Sequence, residues 1–242
     1  MFRVLWILIS ILIILYFYCI EYMNIVQTGS GKEYEAKFLD INVNETRKLI
    51  KKLGGKLIHR RKKYIRSVFS RCNSKIKGFA RVRKEGKDTK MTVKIFNNKK
   101  FPDEYEVTIK EGYEEGRYFM HALGLDETAY QENYREKWII PKIKDVHEIV
   151  FDELPGLPVY MEVDCTSEKC LNSMIRKLKL DKFKKRFGSF DHTYEEYYGI
   201  STDIINNKTK SLSFKNINNE IKPRKNKKLF EKIIKKQKKY NK

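Results

Sequence analysis

Charged and apolar residues alternate along several short segments of this chain, and the first segment shows the pattern clearly. In the stretch KEYEAKF, Glu33, Glu35 and Lys37 occupy every second position, and only apolar residues lie between them. Successive side chains of a strand point to opposite faces, so this stretch predicts a strand with one charged and one apolar face. Such a strand either lies at the surface with its charges in water or lines a polar cavity.

The same alternation recurs in seven later segments: 64–70, 78–84, 90–96, 104–110, 129–139, 147–153 and 158–164. Helical spacing marks the capped segments that follow Asn42 and Thr166, and a third segment that ends at Gly124. The chain has neither a parallel βαβ rhythm nor a glycine-rich phosphate loop. These elements predict an α+β fold, an eight-stranded antiparallel β-barrel that forms a tunnel, with helices packed outside.

Pairs of polar residues at positions i and i+2 decide which face of this sheet points inward. For a single strand, a solvated face is the ordinary explanation. Six strands carry such pairs, and a barrel with a polar interior and helices over its apolar face accounts for both faces of all six. The pairs are Glu33/Glu35, Arg81/Arg83, Thr92/Lys94, Glu104/Glu106, Arg135/Lys137 and Glu162/Asp164.

An apolar run covers residues 2–20 and is interrupted only by Arg3 and Ser10. A membrane-spanning helix needs about 20 apolar residues, so the run predicts an uncleaved single-pass membrane anchor at residues 1–20, followed by a linker at 21–31. A cleaved signal peptide is the alternative, but the residues that follow the run offer no small-residue cleavage site. The flanking charges do not specify the orientation in the membrane.

The formal net charge of +21 predicts a polyanionic partner. Residues 208–242 contain fourteen basic and two acidic side chains, so +12 of this charge lies there. We therefore expect a basic, largely disordered tail at residues 201–242. Apolar residues between Leu229 and Tyr240 recur at near-helical spacing, which indicates an amphipathic helix that binds anionic lipid or nucleic acid. A solvated, lysine-rich tail is the alternative.

The polar interior would have a definite chemistry. Mg²⁺ and Mn²⁺ take oxygen ligands, usually carboxylates together with water and substrate phosphates. Arginine and lysine bind phosphate oxygens. Acids and bases in one closed space therefore predict a site for a metal–triphosphate complex. The predicted metal ligands are Glu33, Glu35, Asp152, Glu162 and Asp164, and the predicted phosphate-binding residues are Lys37, Arg81, Arg83, Lys94, Arg135 and Lys137.

These residues resemble the CYTH, or triphosphate tunnel metalloenzyme, family. The opening E-x-E-x-K matches the family signature, and the later R-x-R, T-x-K and E-x-E pieces follow in family order, as does DELPGLPVYMEVD near the end. The resemblance covers residues 32–200, the expected tunnel domain. It implies catalytic roles for Glu33, Glu35, Lys37 and Glu106. Asn133 stands where the family commonly has a lysine, and Asp164 replaces a usual glutamate.

The resemblance leaves three functions open. The first is a membrane-anchored, metal-dependent triphosphatase that hydrolyses a phosphoanhydride of a nucleotide, thiamine triphosphate or inorganic triphosphate. The second is a class IV-type adenylate cyclase that makes cyclic AMP from ATP in the same tunnel. The third is a non-catalytic protein that binds polyphosphate or an anionic membrane. We favour the triphosphatase, because hydrolysis needs only water besides the bound triphosphate.

Overall fold

The computed structural model describes residues 31–32, 34–70, 77–96 and 100–240. Lys32–Lys242 form one folded unit, which joins the predicted tunnel domain and the predicted tail. The predicted anchor at residues 1–20, and all but the last residue of the predicted linker, lie outside the described residues. Within the described ranges, no helix is both long and apolar enough to span a membrane.

In the part of the chain that the structure describes, ten strands form a single sheet. Its order is β1-β6-β5-β4-β3-β7-β8-β9-β2, with β10 paired to β7. Every ladder from β6 to β2 is antiparallel, whereas β10 runs parallel to β7. The strands are β1 (Gly31–Lys32), β2 (Tyr34–Phe38), β3 (Lys56–Phe69), β4 (Gly78–Glu85), β5 (Asp88–Ile95), β6 (Asp103–Ile109), β7 (Glu127–Ile139), β8 (Val146–Glu153), β9 (Tyr160–Cys165) and β10 (Ser211–Leu212).

The prediction of a closed, eight-stranded, purely antiparallel barrel is wrong. The sheet curls into a half-barrel, and its hydrogen-bonded path begins at β1 and ends at β2. At the edge of β2, the backbone of Lys37 exchanges hydrogen bonds with that of Arg186, at N–O distances of 2.8 and 3.2 Å, so an isolated bridge occupies this position. Side-chain alternation does not reveal this difference, because it fixes the face of each side chain and not the partner of a strand edge.

The curl of the sheet follows from its two longest strands. β3 and β7 pair along most of their length, and their register shifts between Leu57 and His59 and again between His59 and Lys62. Strand twist and such irregularities bend a sheet, so its two faces become a concave and a convex surface. The concave surface carries the alternating charged residues, and the convex surface carries the apolar ones.

Helices cover the convex, apolar surface: α1 (Val43–Lys52), α2 (Tyr113–Ala122) and α3 (Glu168–Lys177). The Asn42 side chain accepts a hydrogen bond from the Glu45 amide at 3.2 Å and starts α1. Ser167 does the same for α3 through the amide of Cys170. Apolar side chains of α3 enter the main core cluster together with residues of β2 and β9: Leu171, Met174, Ile175, Ala36, Phe38, Met161 and Val163.

Residues 201–240 are ordered, in contrast to the disordered tail that their composition predicts. After α4 (Asp191–Tyr198), the chain forms a π-helix (Ile204–Lys208), β10, α5 (Ile217–Glu220) and α6 (Lys227–Tyr240). The lysines of this segment lie on its outer side, and its apolar residues are buried against α4 and the loop after β8. The segment is therefore folded and packed despite its lysine-rich composition.

Helix α6 is amphipathic, as expected, but its apolar side packs on the domain itself. Phe230 and Ile234 are buried in one cluster with Tyr198, and the Phe230 and Tyr198 rings lie 5.0 Å apart. The Gln237 side chain accepts a hydrogen bond from the Gly156 amide at 2.8 Å and donates one to a carbonyl of the same loop. These contacts occupy the surface that the sequence assigns to a lipid or nucleic-acid partner.

Replacing Phe230 with alanine tests this packing. The change leaves a cavity against Tyr198 and Gly156, so we expect Phe230→Ala to lower the free energy of unfolding by about 3–5 kcal/mol in urea denaturation. Leu229→Ala is the matched control, because Leu229 is 37% exposed and its loss should cost less than about 1 kcal/mol. Equal, small effects of the two substitutions would contradict a packed α6.

Candidate active site

The concave face of the sheet lines a cavity of about 1110 Å³. Alternation along each strand brings the charged side chains into its wall, while the intervening apolar residues face the helices. Acidic and basic side chains are present in equal number among the strand residues of this wall. They are Glu35, Lys37, Arg66, Arg81, Arg83, Lys90, Lys94, Glu104, Glu106, Arg135, Glu148, Asp152, Glu162 and Asp164.

Ten of the twelve site residues predicted from the sequence lie in this wall. The other two are Glu33, which lies outside the described residues, and Lys137. The ammonium group of Lys137 forms an ion pair with Glu148, whose carboxylate does line the cavity. Lys137 therefore contacts the site through Glu148. The ten are Glu35, Lys37, Arg81, Arg83, Lys94, Glu106, Arg135, Asp152, Glu162 and Asp164.

Strands β2 and β9 form an acidic side of the cavity. Their register places Glu35 opposite Asp164 and Lys37 opposite Glu162. Burial raises the pKa of Glu162, and the carboxylate of Glu35 adds to this effect although Lys37 opposes it. Burial and the carboxylates of Glu35 and Glu148 raise the pKa of Asp164 to about 8. This side therefore holds more negative charge than its neighbours neutralise.

The acidic side fits a divalent cation by the type and charge of its donors. Glu35, Glu162 and Asp164 offer the oxygen ligands that Mg²⁺ and Mn²⁺ take. One oxygen of Asp164, Oδ1, is buried and makes no hydrogen bond within the described structure. In the ranges that the structure describes, no three ligating side chains are already grouped as a metal site. The residues therefore fit a divalent cation by the chemical type of their oxygen atoms and by the one buried oxygen that accepts no hydrogen bond.

Asp152 differs from the other predicted metal ligands. Its carboxylate accepts hydrogen bonds from Arg135 Nε at 2.8 Å and from Asn133 Nδ2 at 3.1 Å, and it forms an ion pair with Arg135 Nη2. Arg135 also lies 3.2 Å from Glu162. Asp152 is therefore neutralised by arginine and orients that side chain toward the acidic side. Asn133, the departure from the family pattern, is buried and holds Asp152 in place.

Strands β3, β4, β5 and β6 form a basic side of the cavity. Arg81 Nη2 lies 3.1 Å from Glu104, and Arg83 Nη2 lies 3.4 Å from Glu106. Burial alone would raise the pKa of Glu106, but Arg83, a hydrogen bond from Lys90 and Arg81 lower it to about 2. Glu106 is therefore ionised at neutral pH and holds the arginine side chains, and it is a poor proton acceptor.

Arg66 is a site residue that the sequence reasoning missed. Its guanidinium lines the cavity, and the residue is 9% exposed. Burial and the nearby charges of Arg81 and Arg83 lower its pKa to about 10. It donates a hydrogen bond to Asn133 at 3.3 Å, and among the described residues it forms no ion pair. The available signal was strand alternation, since Arg66 and the cavity-lining Val68 share one face of β3.

Neither a family model nor a curated protein matches this chain. Solved structures do share its fold. The PH1012 protein from Pyrococcus horikoshii matches with a TM-score of 0.51 and 17% identity, over 63% of this chain and 94% of that chain. A candidate adenylate cyclase from Vibrio parahaemolyticus matches with a TM-score of 0.52 and 12% identity, over 66% of this chain and 96% of that chain.

A third match, a conserved hypothetical protein from Pyrococcus furiosus, has a TM-score of 0.50 and 15% identity, over 63% of this chain and 94% of that chain. At these identities the similarity defines the fold alone. That fold is the CYTH, or triphosphate tunnel metalloenzyme, fold. The resemblance seen in the sequence is thus confirmed at the level of the fold.

The raised pKa of Asp164 predicts a stability cost that depends on pH. Below pH about 4, Asp164 is protonated in both the folded and unfolded chain and makes no difference. Between pH about 4 and 8, the Asp164 carboxyl group is ionised in the unfolded chain but stays protonated in the folded chain. The folded state is therefore destabilised relative to the unfolded state in this pH range. In metal-free urea denaturation, Asp164→Asn should therefore raise the free energy of unfolding by about 1–3 kcal/mol at pH 8 and leave it unchanged near pH 3.

Asp88→Asn is the matched control for this measurement, because Asp88 is exposed at the start of β5. Its substitution should change stability by less than about 0.5 kcal/mol at either pH. An Asp164→Asn variant that is less stable than the unsubstituted protein at pH 8 would show that the acidic side carries no excess charge.

Proposed function

We propose that this chain is a divalent-metal-dependent triphosphatase that hydrolyses a phosphoanhydride bond of a triphosphate-bearing substrate in the cavity. The observation that carries the proposal is geometric: the carboxylates of β2 and β9 and the guanidinium groups of Arg66, Arg81 and Arg83 line one cavity. The pKa shifts on the two sides support it. The pKa values of Glu162 and Asp164 are raised, whereas that of Arg66 is lowered. Burial contributes to each shift, and so does the crowding of like charges.

A metal–triphosphate complex would relieve both kinds of crowding at once. Its cation suits the carboxylates of β2 and β9, and its phosphate oxygens suit Arg66, Arg81 and Arg83, whose planar guanidinium groups can each donate two parallel hydrogen bonds. An anion alone would leave the acidic side without a counter-ion, and a cation alone would leave the buried charge of Arg66 without one. The two-sided charge pattern therefore favours a ligand that contains both.

Two lysines lie between the acidic and basic sides. Lys37 Nζ contacts Glu35 and lies 3.5 Å from Glu162, while Lys94 Nζ lies 3.7 Å from Glu35 and 3.1 Å from Glu104. Burial alone would lower the pKa of Lys37, but Glu162 and Glu35 raise it, so this lysine stays charged. A fixed positive charge at this boundary can stabilise the negative charge that a leaving phosphate develops.

Glu35, Glu162 and Asp164 would hold the cation, which supplies neutralisation of phosphate charge and acidification of a bound water. The arginines would hold the phosphates in line through hydrogen bonds. Glu106 serves this arrangement by orienting Arg81 and Arg83, because its low pKa makes it a weak base. Each of these groups is placed by a strand, so the substrate meets a preorganised set of charges.

Hydrolysis is favoured over cyclisation because water is the only second reactant that it needs. A cyclase must in addition hold a ribose hydroxyl in line with the α-phosphate. Cyclisation remains the alternative function, because the structure from Vibrio parahaemolyticus that shares this fold is described as a candidate adenylate cyclase.

A direct assay separates the functions. The purified chain is incubated with ATP or inorganic triphosphate and with Mg²⁺ or Mn²⁺, and orthophosphate and cyclic AMP are both measured. We expect orthophosphate, with no cyclic AMP, and complete inhibition by a chelator. Cyclic AMP as the main product would replace the proposal with the cyclase, and tight binding without either product would replace it with a non-catalytic binder.

Substitution of Arg66 tests the basic side. Arg66→Ala removes a charge-assisted contact to phosphate, so we expect KM for the triphosphate to rise about 10- to 100-fold. Since Arg66 forms no ion pair within the described structure, its removal should not lower the free energy of unfolding. Arg60→Ala is the matched control, because Arg60 is exposed on the same strand, and it should leave KM unchanged. A stability loss in Arg66→Ala without a change in KM would assign Arg66 to structure.

A further inference from the structure

One end of the cavity is built by chain segments outside the curled sheet. Phe190 and Asp191, at the start of α4, line it together with Thr202 and with Asn206 and Asn207 of the π-helix. These residues lie outside the strands that carry the other carboxylates and the arginines, and they include neutral amides and an aromatic ring. The chemistry at this end is therefore suited to a group other than phosphate.

Asp191 is buried at this end with one oxygen unsatisfied. The residue is only 4% exposed, and its Oδ2 accepts a hydrogen bond from Asn206 Nδ2 at 2.6 Å. Its Oδ1 is buried and makes no hydrogen bond to any residue that the structure describes. A buried acceptor without a partner destabilises the folded chain, so a structural role alone does not account for it.

The position of Asp191 at the start of a helix explains only part of this arrangement. A carboxylate in the first turn interacts favourably with the helix dipole, and it usually does so in water or through a backbone amide. Here, Asp191 Oδ1 is buried away from water and accepts no hydrogen bond from a described backbone amide. Oδ2 instead accepts a hydrogen bond from a side chain of the C-terminal segment. The carboxylate is thus held in place by Asn206, and its Oδ1 accepts no hydrogen bond from the part of the chain that the structure describes.

The π-helix that supplies Asn206 is firmly anchored. Ile205 is completely buried in the cluster beneath α4, and the Thr209 hydroxyl donates a hydrogen bond to the Ile204 carbonyl at 2.8 Å. π-Helical turns are rare and occur frequently at functional sites. The C-terminal segment therefore contributes a fixed wall to the cavity.

Phe190 connects this end to the phosphate-binding side. The guanidinium of Arg66 lies 5.0 Å from the centroid of the Phe190 ring, which itself lines the cavity. Aromatic rings provide a flat apolar surface on which a planar heterocycle can stack. A ligand with its phosphates at Arg66 would have its next group beside Phe190 and Asp191.

We propose that Phe190, Asp191 and Asn206 form a subsite for the organic group that carries the triphosphate, and that this group is a heterocycle with an N–H donor. The donor would satisfy Asp191 Oδ1, and the planar ring would pack on Phe190. This inference rests on the proposed function and adds to it: the substrate is an organic triphosphate, with inorganic triphosphate bound less tightly.

The test compares substrates in the Asp191→Asn variant. KM is measured for inorganic triphosphate and for ATP, GTP, CTP, UTP and thiamine triphosphate. The unsubstituted protein should favour at least one organic triphosphate, and Asp191→Asn should raise the KM of that substrate about 10- to 100-fold. Its kinetics with inorganic triphosphate should stay unchanged, which also shows that the variant is folded. Phe190→Leu is the second variant and should show the same selectivity.

Glu195→Gln is the matched control, because Glu195 is exposed on the same helix and should affect no substrate. An equal rise in KM for every triphosphate would make Asp191 a structural residue and overturn the proposal. Equal KM for organic and inorganic substrates in the unsubstituted protein would overturn it as well.

Failure of the proposed function gives a different result, namely turnover of no substrate. In that case, calorimetric titration of ATP and inorganic triphosphate into the same proteins still tests the subsite. Selective loss of ATP binding in Asp191→Asn would support it, and parallel behaviour of the two ligands would overturn it.

Discussion

Buried charge on the concave face of the sheet is the constraint on which the rest of this structure depends. Removing a charged side chain from water is costly unless a partner of opposite charge or a set of hydrogen bonds compensates it. Most of the interior satisfies this condition by pairing, as Arg135 does with Asp152 and Arg81 with Glu104. Among the described strand residues, Asp164 and Arg66 are two whose charge is not fully compensated by such pairing.

That excess links stability to binding. The pKa shifts of Asp164 and Arg66 indicate that the charged form of each side chain is disfavoured. A nearby counter-ion would stabilise that charged form. A ligand that binds only the folded chain stabilises it, so a metal–triphosphate complex should both occupy the cavity and stabilise the sheet. The strands supply rigid positions for these groups, while α4 and the C-terminal segment also contribute residues to the cavity wall.

The alternation of polar and apolar residues was enough to predict the inward-facing side chains on β2, β4 and β9, including Glu35, Arg83 and Glu162. It did not predict Arg66, because that residue ends a basic run whose earlier members, such as Lys62, are exposed. Alternation reports the face of a strand and contains no information on how sheet edges are paired. The closed barrel was therefore an inference that the pattern did not support.

The C-terminal segment shows a second limit. Its charge predicts repulsion and disorder, yet Phe230 and Ile234 find a complementary apolar surface on α4. Burial of these apolar side chains outweighs the charge repulsion between the lysines. The apolar surface on α4 exists only in the folded domain, so composition alone does not predict it. For the same reason, residue patterns do not predict the hydrogen bond between Asn206 and Asp191, which lies fifteen positions away.

The most direct test of the account is a crystal structure with Mn²⁺ and a non-hydrolysable triphosphate analogue, with the anomalous signal of manganese used to locate the ion. We expect a manganese peak within coordination distance of Glu35, Glu162 or Asp164, and phosphates in contact with Arg66, Arg81 and Arg83. Phosphates bound outside the cavity, with no manganese inside it, would contradict the proposed function.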